Sequence, residues 1–159
     1  MAGTARLSRP GRPRGFALLA MLVVVAAMGA AIAVTGTIWH HVQRRAMENE
    51  LIFVGLQYRK AIADYYNATP AHQYPPSIDA LLRDDRMPSL VRHLRRPYRD
   101  PLTNSTTWGT VLAPGGGIMG IFSLGKGRPI KQANFPAELN WPGGPASYAD
   151  WQFMYIPTR

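Results

Sequence analysis

Four histidines, His40, His41, His72 and His93, are the first residues to weigh for proton transfer or metal ligation in this 159-residue chain. None stands at a zinc-type spacing with carboxylates, and His40-His41 sit together at the end of an apolar run. Ser89 and His93 share a face if residues 89–95 form a helical turn, yet no nucleophile-elbow signature accompanies the serine. Gly120, Gly125 and Lys126 repeat the glycine–lysine spacing of a phosphate loop. The position that needs Ser or Thr for magnesium is Gly127, and Arg128-Pro129 stands where a helix has to begin. Asp84-Asp85 and Asp100 offer the oxygen ligands that calcium prefers, and Glu138, Asn140 and Asp150 offer a sparser set. There are no cysteines, which removes disulfides, thiolate zinc sites and cysteine nucleophiles. The expectation is a protein that is not an enzyme, with no cofactor and no metal.

Charge is the second chemical resource. The formal net charge is +9, with 18 Lys and Arg against 9 Asp and Glu. Residues 1–15 hold Arg6, Arg9, Arg12 and Arg14 and no acid. A basic cluster before an apolar run orients a membrane segment with its N-terminus inside. In the rest of the chain, Arg95, Arg96, Arg99 and Asp100 are the candidate contact residues of a basic turn. Nucleic-acid binding is the sharper reading of the net charge, but no binding motif or interleaved aromatics support it.

The elements that must position these groups begin with the apolar run. From Phe16 to Trp39 there is no charged residue. A hydrocarbon core about 30 Å thick needs about 20 apolar residues as a helix, so this run predicts a transmembrane span. It is longer than the apolar region of a cleaved secretory signal. No proline lies between Pro13 and Pro70, which permits one helix from about Phe16 to Tyr66, about 75 Å long. In its second half Met47, Leu51, Val54, Tyr58, Ala61 or Ile62, and Tyr65 recur at steps of three and four and make one apolar stripe. Arg44, Arg45, Glu48, Arg59 and Lys60 are expected on the other faces. Gly29, Gly36 and Gly55 weaken the helix by about 1 kcal/mol each. Gly29, Ala30, Ala31 and Ala33 form a plausible close-packing surface.

Pro70, Pro75 and Pro76 end the long helix. Ser77 is a natural N-cap for a short helix over 78–82, and residues 89–95 predict another helical turn. Strands are expected over 107–112, 118–124 and 151–156. Residues 125–150, rich in Gly, Pro and Asn, read as a long surface loop in which Trp141 packs against something. An antiparallel sheet packed on the amphipathic half of the helix makes the fold class α+β. The domain division is 1–15 leader, 16–39 transmembrane half, 40–68 amphipathic half and 69–159 globular head.

The junction Arg14-Gly15-Phe16 before an apolar helix resembles the processing site of bacterial type IV prepilins and type II secretion pseudopilins. The resemblance extends to Tyr74-Pro75-Pro76-Ser77-Ile78-Asp79-Ala80-Leu81-Leu82, to Arg92–Thr103 with Trp108-Gly109, and to Gly116–Ser123 with Pro129-Ile130-Lys131. It implies a pilin-like fold. It implies cleavage between Gly15 and Phe16 by a prepilin peptidase, with N-methylation of Phe16. The family usually has a glutamate as the fifth mature residue, and Ala20 stands there. That departure points to a minor rather than an abundant filament subunit. The implied partners are the peptidase, other pseudopilin subunits, an inner-membrane assembly platform and the lipid bilayer. The implied location is the bacterial inner membrane, single pass, with the head periplasmic. Two alternatives stay open: a minor pilin whose basic head binds DNA or another polyanion, and a single-pass anchored protein of other function.

Overall fold

The structure, a computed structural model, describes residues 14–139, 141 and 144–157, with side chains described from residue 16 onward except residues 30–41. Residues 1–13 of the leader and Asn140 lie outside that set, as do the side chains of Arg14, Ala30, Ala31, Ala33, Trp39 and the His40-His41 pair. The chain divides into two units, Met1–His41 and Val42–Arg159.

Helix α1 spans Arg14–Asn67, as the proline-free stretch predicts. In the first unit every described side chain from Phe16 to Met28 is exposed. Among the described residues no helix is long and apolar enough to cross a membrane. The described part of the predicted span ends at Gly29.

In the second unit α1 supplies one wall of the core. Leu51, Val54, Tyr58, Ala61, Ile62 and Tyr65 are buried, as the stripe predicts. Met47 is 36 % exposed and does not belong to it. Arg59, expected on an outer face, is half-buried, and its Nε donates to the Met154 carbonyl at 2.9 Å. Gly55 is needed for a different reason than helix propensity: a Cβ there runs into the Phe153 ring.

The opposing wall is a three-stranded antiparallel sheet in the order β1-β2-β3. Strand β1 is Gly109–Leu112, β2 is Ile118–Phe122 and β3 is Phe153–Met154. Thr110 faces Ile121 and Gly120 faces Met154, with an irregularity between Val111 and Leu112. The β1–β2 turn closes through Ala113 N–H to the Gly117 carbonyl at 2.9 Å. Gly116 and Gly117 take φ of 90° and 81° there, a region that favours glycine. A hairpin with a two-residue third strand is marginal alone. Ile121, Trp151 and Phe153, each 0 % exposed, bury it against α1, and each contributes about 1.5–3 kcal/mol.

Helix α2 is a single turn, Asp79–Leu82, that inserts Leu81 into the core. Ser77 accepts the Ala80 N–H at 3.3 Å, so it caps this turn as expected. Residues 89–95 are not helical. Val91 instead pairs as an antiparallel bridge with Asp84, because the backbone is drawn to the carboxylate cluster described below. Residues 125–150 are not a free surface loop. They contain single 3-10 turns at Ala137–Leu139 and Tyr148–Asp150. Trp141 packs among Phe135, Trp151 and Phe153 at 4.8–5.5 Å between centroids, edge-on to the two phenyl rings and tilted against the indole. Its occupant is this chain's own core.

Candidate functional site

At the N-terminal end the processing candidate is Gly15-Phe16. Phe16 is 73 % exposed on α1, and Ala20 is exposed one turn later. A Cβ at Gly29 meets nothing within 4 Å. This face carries no chemistry of its own, and its apolar side chains have no cover among the described residues of the chain.

The basic turn is held by its backbone. The N–H groups of His93 and Leu94 both donate to the Leu81 carbonyl at 2.9 Å, and Leu94 is buried. The Tyr98 N–H donates to the Tyr58 hydroxyl at 3.2 Å, and that hydroxyl donates back to the Tyr98 carbonyl at 3.3 Å. Trp108 Nε1 donates to the same carbonyl at 3.1 Å. Arg95, Arg96 and Arg99 are therefore exposed from a pinned loop.

Asp100 does not share that surface. It is 0 % exposed. Its carboxylate accepts from Leu102 N–H at 2.9 Å, Thr103 Oγ1 at 3.1 Å and Ser123 Oγ at 2.7 Å. Arg99 turns to the Asn104 carbonyl at 2.9 Å instead of pairing with Asp100. Asp100 is a positioning residue that ties the turn to the end of β2, because a buried carboxylate needs donors and three converge here.

A second buried carboxylate, Asp84, organises the other end of the C-terminal unit. Arg86 grips it bidentately, Nε to Oδ1 at 2.9 Å and Nη2 to Oδ2 at 2.7 Å. His93 Nε2 lies 3.0 Å from Oδ2. The Arg86 bonds come first among the causes that hold the Asp84 carboxyl well below the usual carboxylate range. Asp84 in turn raises the Arg86 pKa. The guanidinium also donates to the Tyr65 carbonyl at 2.8 Å and to Thr69 Oγ1 at 3.2 Å, and it lies 3.5 Å over the Tyr65 ring. His93 thus belongs to a structural knot, not to a pair with Ser89, which is exposed.

The third is Glu48, expected at the surface and found 1 % exposed. Its two oxygens accept the Ile130 and Lys131 N–H groups at 2.6 and 3.0 Å and the Tyr148 hydroxyl at 2.7 Å. Arg44 Nε donates to the Tyr148 hydroxyl at 3.2 Å, and its Nη2 donates to the Lys126 carbonyl at 3.2 Å. Burial first, and the Glu48 contact second, push the Tyr148 phenol above its ordinary pKa. Glu48 falls three residues before Leu51 and seven before Gly55, so it lies on the buried stripe by spacing. That spacing is the signal that marks it.

The remaining tempting motifs resolve into packing. Gly120 is crossed by Met154 of the neighbouring strand, and Gly125 lies against Leu102. Asp150 accepts the Ser147 N–H at 2.8 Å within a capping box. No group of three or more His, Asp or Glu gathers in metal-binding range among the described residues. A cleft of about 620 Å³ is lined by Tyr65, Tyr66, His72, Tyr74, Arg86 and the 113–117 turn. Its one guanidinium is committed to Asp84, Tyr65 and Thr69, so the cleft presents aromatic surface rather than a reacting constellation. No family model matches the chain, and no curated protein or solved structure matches it either.

Proposed function

We propose that this chain is a structural, pilin-like subunit of a type II secretion or type IV pilus-like machine, with the character of a minor subunit. It is stored in the inner membrane through residues 16–39 and assembled into a short filament after cleavage between Gly15 and Phe16. The observation that carries the reading is the division of labour along α1. Its first described residues expose nothing but apolar or small side chains, while its second half is the wall on which an antiparallel sheet is built. An apolar helix surface of that kind needs lipid or other helices around it. The Arg-rich leader supports an inward N-terminus, and Ala20 supports the minor role by the departure from the family's usual glutamate.

Within the C-terminal unit, Val42 and Phe53 are 60 % and 53 % exposed. They lie eleven residues apart, three helical turns, and so share one face. This face fits helix contacts with neighbouring subunits. The absence of native cysteine allows a direct assay. A single cysteine at Phe53 is expected to give disulfide or bis-maleimide adducts with other subunits in cells that carry the whole machine. A cysteine at the exposed Thr110 of β1 is expected to give none. Equal adduct yields from the two positions, or none from Phe53, contradict the reading.

A further inference from the structure

Exposed cations without ion-pair partners are frequent among the described residues of the C-terminal unit. Three of its carboxylates, Glu48, Asp84 and Asp100, are buried and consumed internally, so the exterior is more basic than the net charge indicates. Around residues 42–54 of α1 the cations come from three separate segments. Arg45 is on α1 itself and lines a pocket with Ile130 and Lys131. Lys126 is held there by its carbonyl, which accepts from Arg44, and Gly127 lies against the same guanidinium. Arg128 follows it. Arg96 and Arg99 line a second pocket with Val54 and with Glu50, the one exposed carboxylate among these lining residues. Arg45, Arg96, Arg99, Lys126 and Arg128 are exposed. None of the five, nor Lys131, has an ion-pair partner among the described residues.

We infer that these cations form a collar that docks the C-terminal unit onto an anionic lipid surface. The inference rests on the reading of residues 16–39 as a membrane anchor. The collar lies along residues 45–54 of α1, in the part of the unit that follows Val42, and its first cation is six residues of chain from Trp39. An anchored chain therefore holds these cations at high effective concentration beside headgroups. Each Lys or Arg close to an anionic bilayer strengthens attraction about fivefold. Nucleic acid is the lesser fit. The ring at Tyr98 is half-buried and covered by Arg96 at 5.2 Å, which leaves Phe53 as a single open ring beside the cations, whereas strand-binding grooves stack successive bases on several. Internal docking of this kind gives a resting position for the unit before assembly, released when the subunit is drawn out of the bilayer.

The test uses the full chain in nanodiscs, with an environment-sensitive dye on a single cysteine at Ala133, which is exposed beside the collar. Alkaline carbonate extraction of membranes containing the protein reports the anchor separately. The expected result is quenching by headgroup-borne quencher in phosphatidylglycerol discs but not phosphatidylcholine discs, reversed by high salt. Lys126→Gln/Arg128→Gln is expected to weaken the docked population about 25-fold. Lys60→Gln/Arg83→Gln, an equal charge loss farther along the unit, is expected to leave it unchanged. A chain that resists carbonate extraction but shows no lipid dependence overturns the collar and leaves the anchor standing. A chain extracted by carbonate overturns the anchor and the collar together. Retention of duplex DNA by neutral-lipid discs, abolished by the same double variant, replaces the lipid surface with a polyanion and overturns the inference.

Discussion

At the scale of single residues, three buried carboxylates decide how the C-terminal unit closes. Each is met by several hydrogen-bond donors; Glu48 and Asp100 tie segments that are far apart in the chain, and Asp84 gathers Arg86 and His93 from its own neighbourhood. Removing one partner of such a group strands the other, which costs more than the bond itself is worth. Asp84→Ala leaves Arg86 without its carboxylate and is expected to lower stability by about 3–5 kcal/mol. Urea unfolding of the full chain in detergent, followed by Trp fluorescence, measures it. The same group predicts an acid response. Because the folded Asp84 carboxyl lies below its unfolded value, its contribution is fully present above about pH 4 and is lost as pH falls through the folded pKa. Asp84→Asn is therefore expected to flatten the loss of stability between about pH 4 and pH 2 relative to the parent chain. Glu48→Ala orphans the Ile130 and Lys131 N–H groups and the Tyr148 hydroxyl. A loss of about 1–3 kcal/mol is expected, with faster hydrogen exchange at residues 130 and 131. Unchanged exchange there contradicts the role assigned to Glu48.

At the scale of elements, α1 and the sheet are matched through one contact that admits no extra atom. Gly55→Ala improves helix propensity by about 1 kcal/mol, yet its Cβ runs into the Phe153 ring. Overpacking of a full core costs about 1–3 kcal/mol, so the net effect is expected to be destabilising. Gly29→Ala, with nothing within 4 Å, is expected to leave unfolding of the C-terminal unit unchanged. Equal effects of the two substitutions on that unfolding contradict this account of the contact. The elements themselves were legible in proportion to their periodicity. The proline-free stretch and the three-and-four spacing of Leu51, Val54, Tyr58, Ile62 and Tyr65 specify a helix and its buried face. The glycine turn at 115–117 between two β-rich runs specifies the hairpin. The third strand shrank from six expected residues to Phe153–Met154, because Trp151 is buried in an aromatic cluster and Arg59 takes the Met154 carbonyl.

At the scale of the whole molecule, what stayed illegible was long-range. An acid has a default place in solvent, and nothing local in the sequence announces that Glu48 meets residues 130, 131 and 148 or that Asp100 meets Ser123. The 125–150 segment reads as loose for the same reason: its anchors are a carboxylate on α1 and the aromatic rings of Phe135, Trp151 and Phe153. Of the candidate contact residues, Arg95, Arg96 and Arg99 are exposed as expected, and Asp100 is buried on Ser123 and Thr103, which nothing local in the sequence announces. The proposed function rests chiefly on the Gly15-Phe16 junction and on the charge asymmetry that precedes it.

That junction also supports the most direct measurement. The intact mass of the membrane-extracted chain, from cells with and without a prepilin peptidase, reads the pathway in one step. The account predicts a chain beginning at N-methylated Phe16 when the peptidase is present and a chain retaining residues 1–15 when it is absent. An uncut chain in both contradicts it.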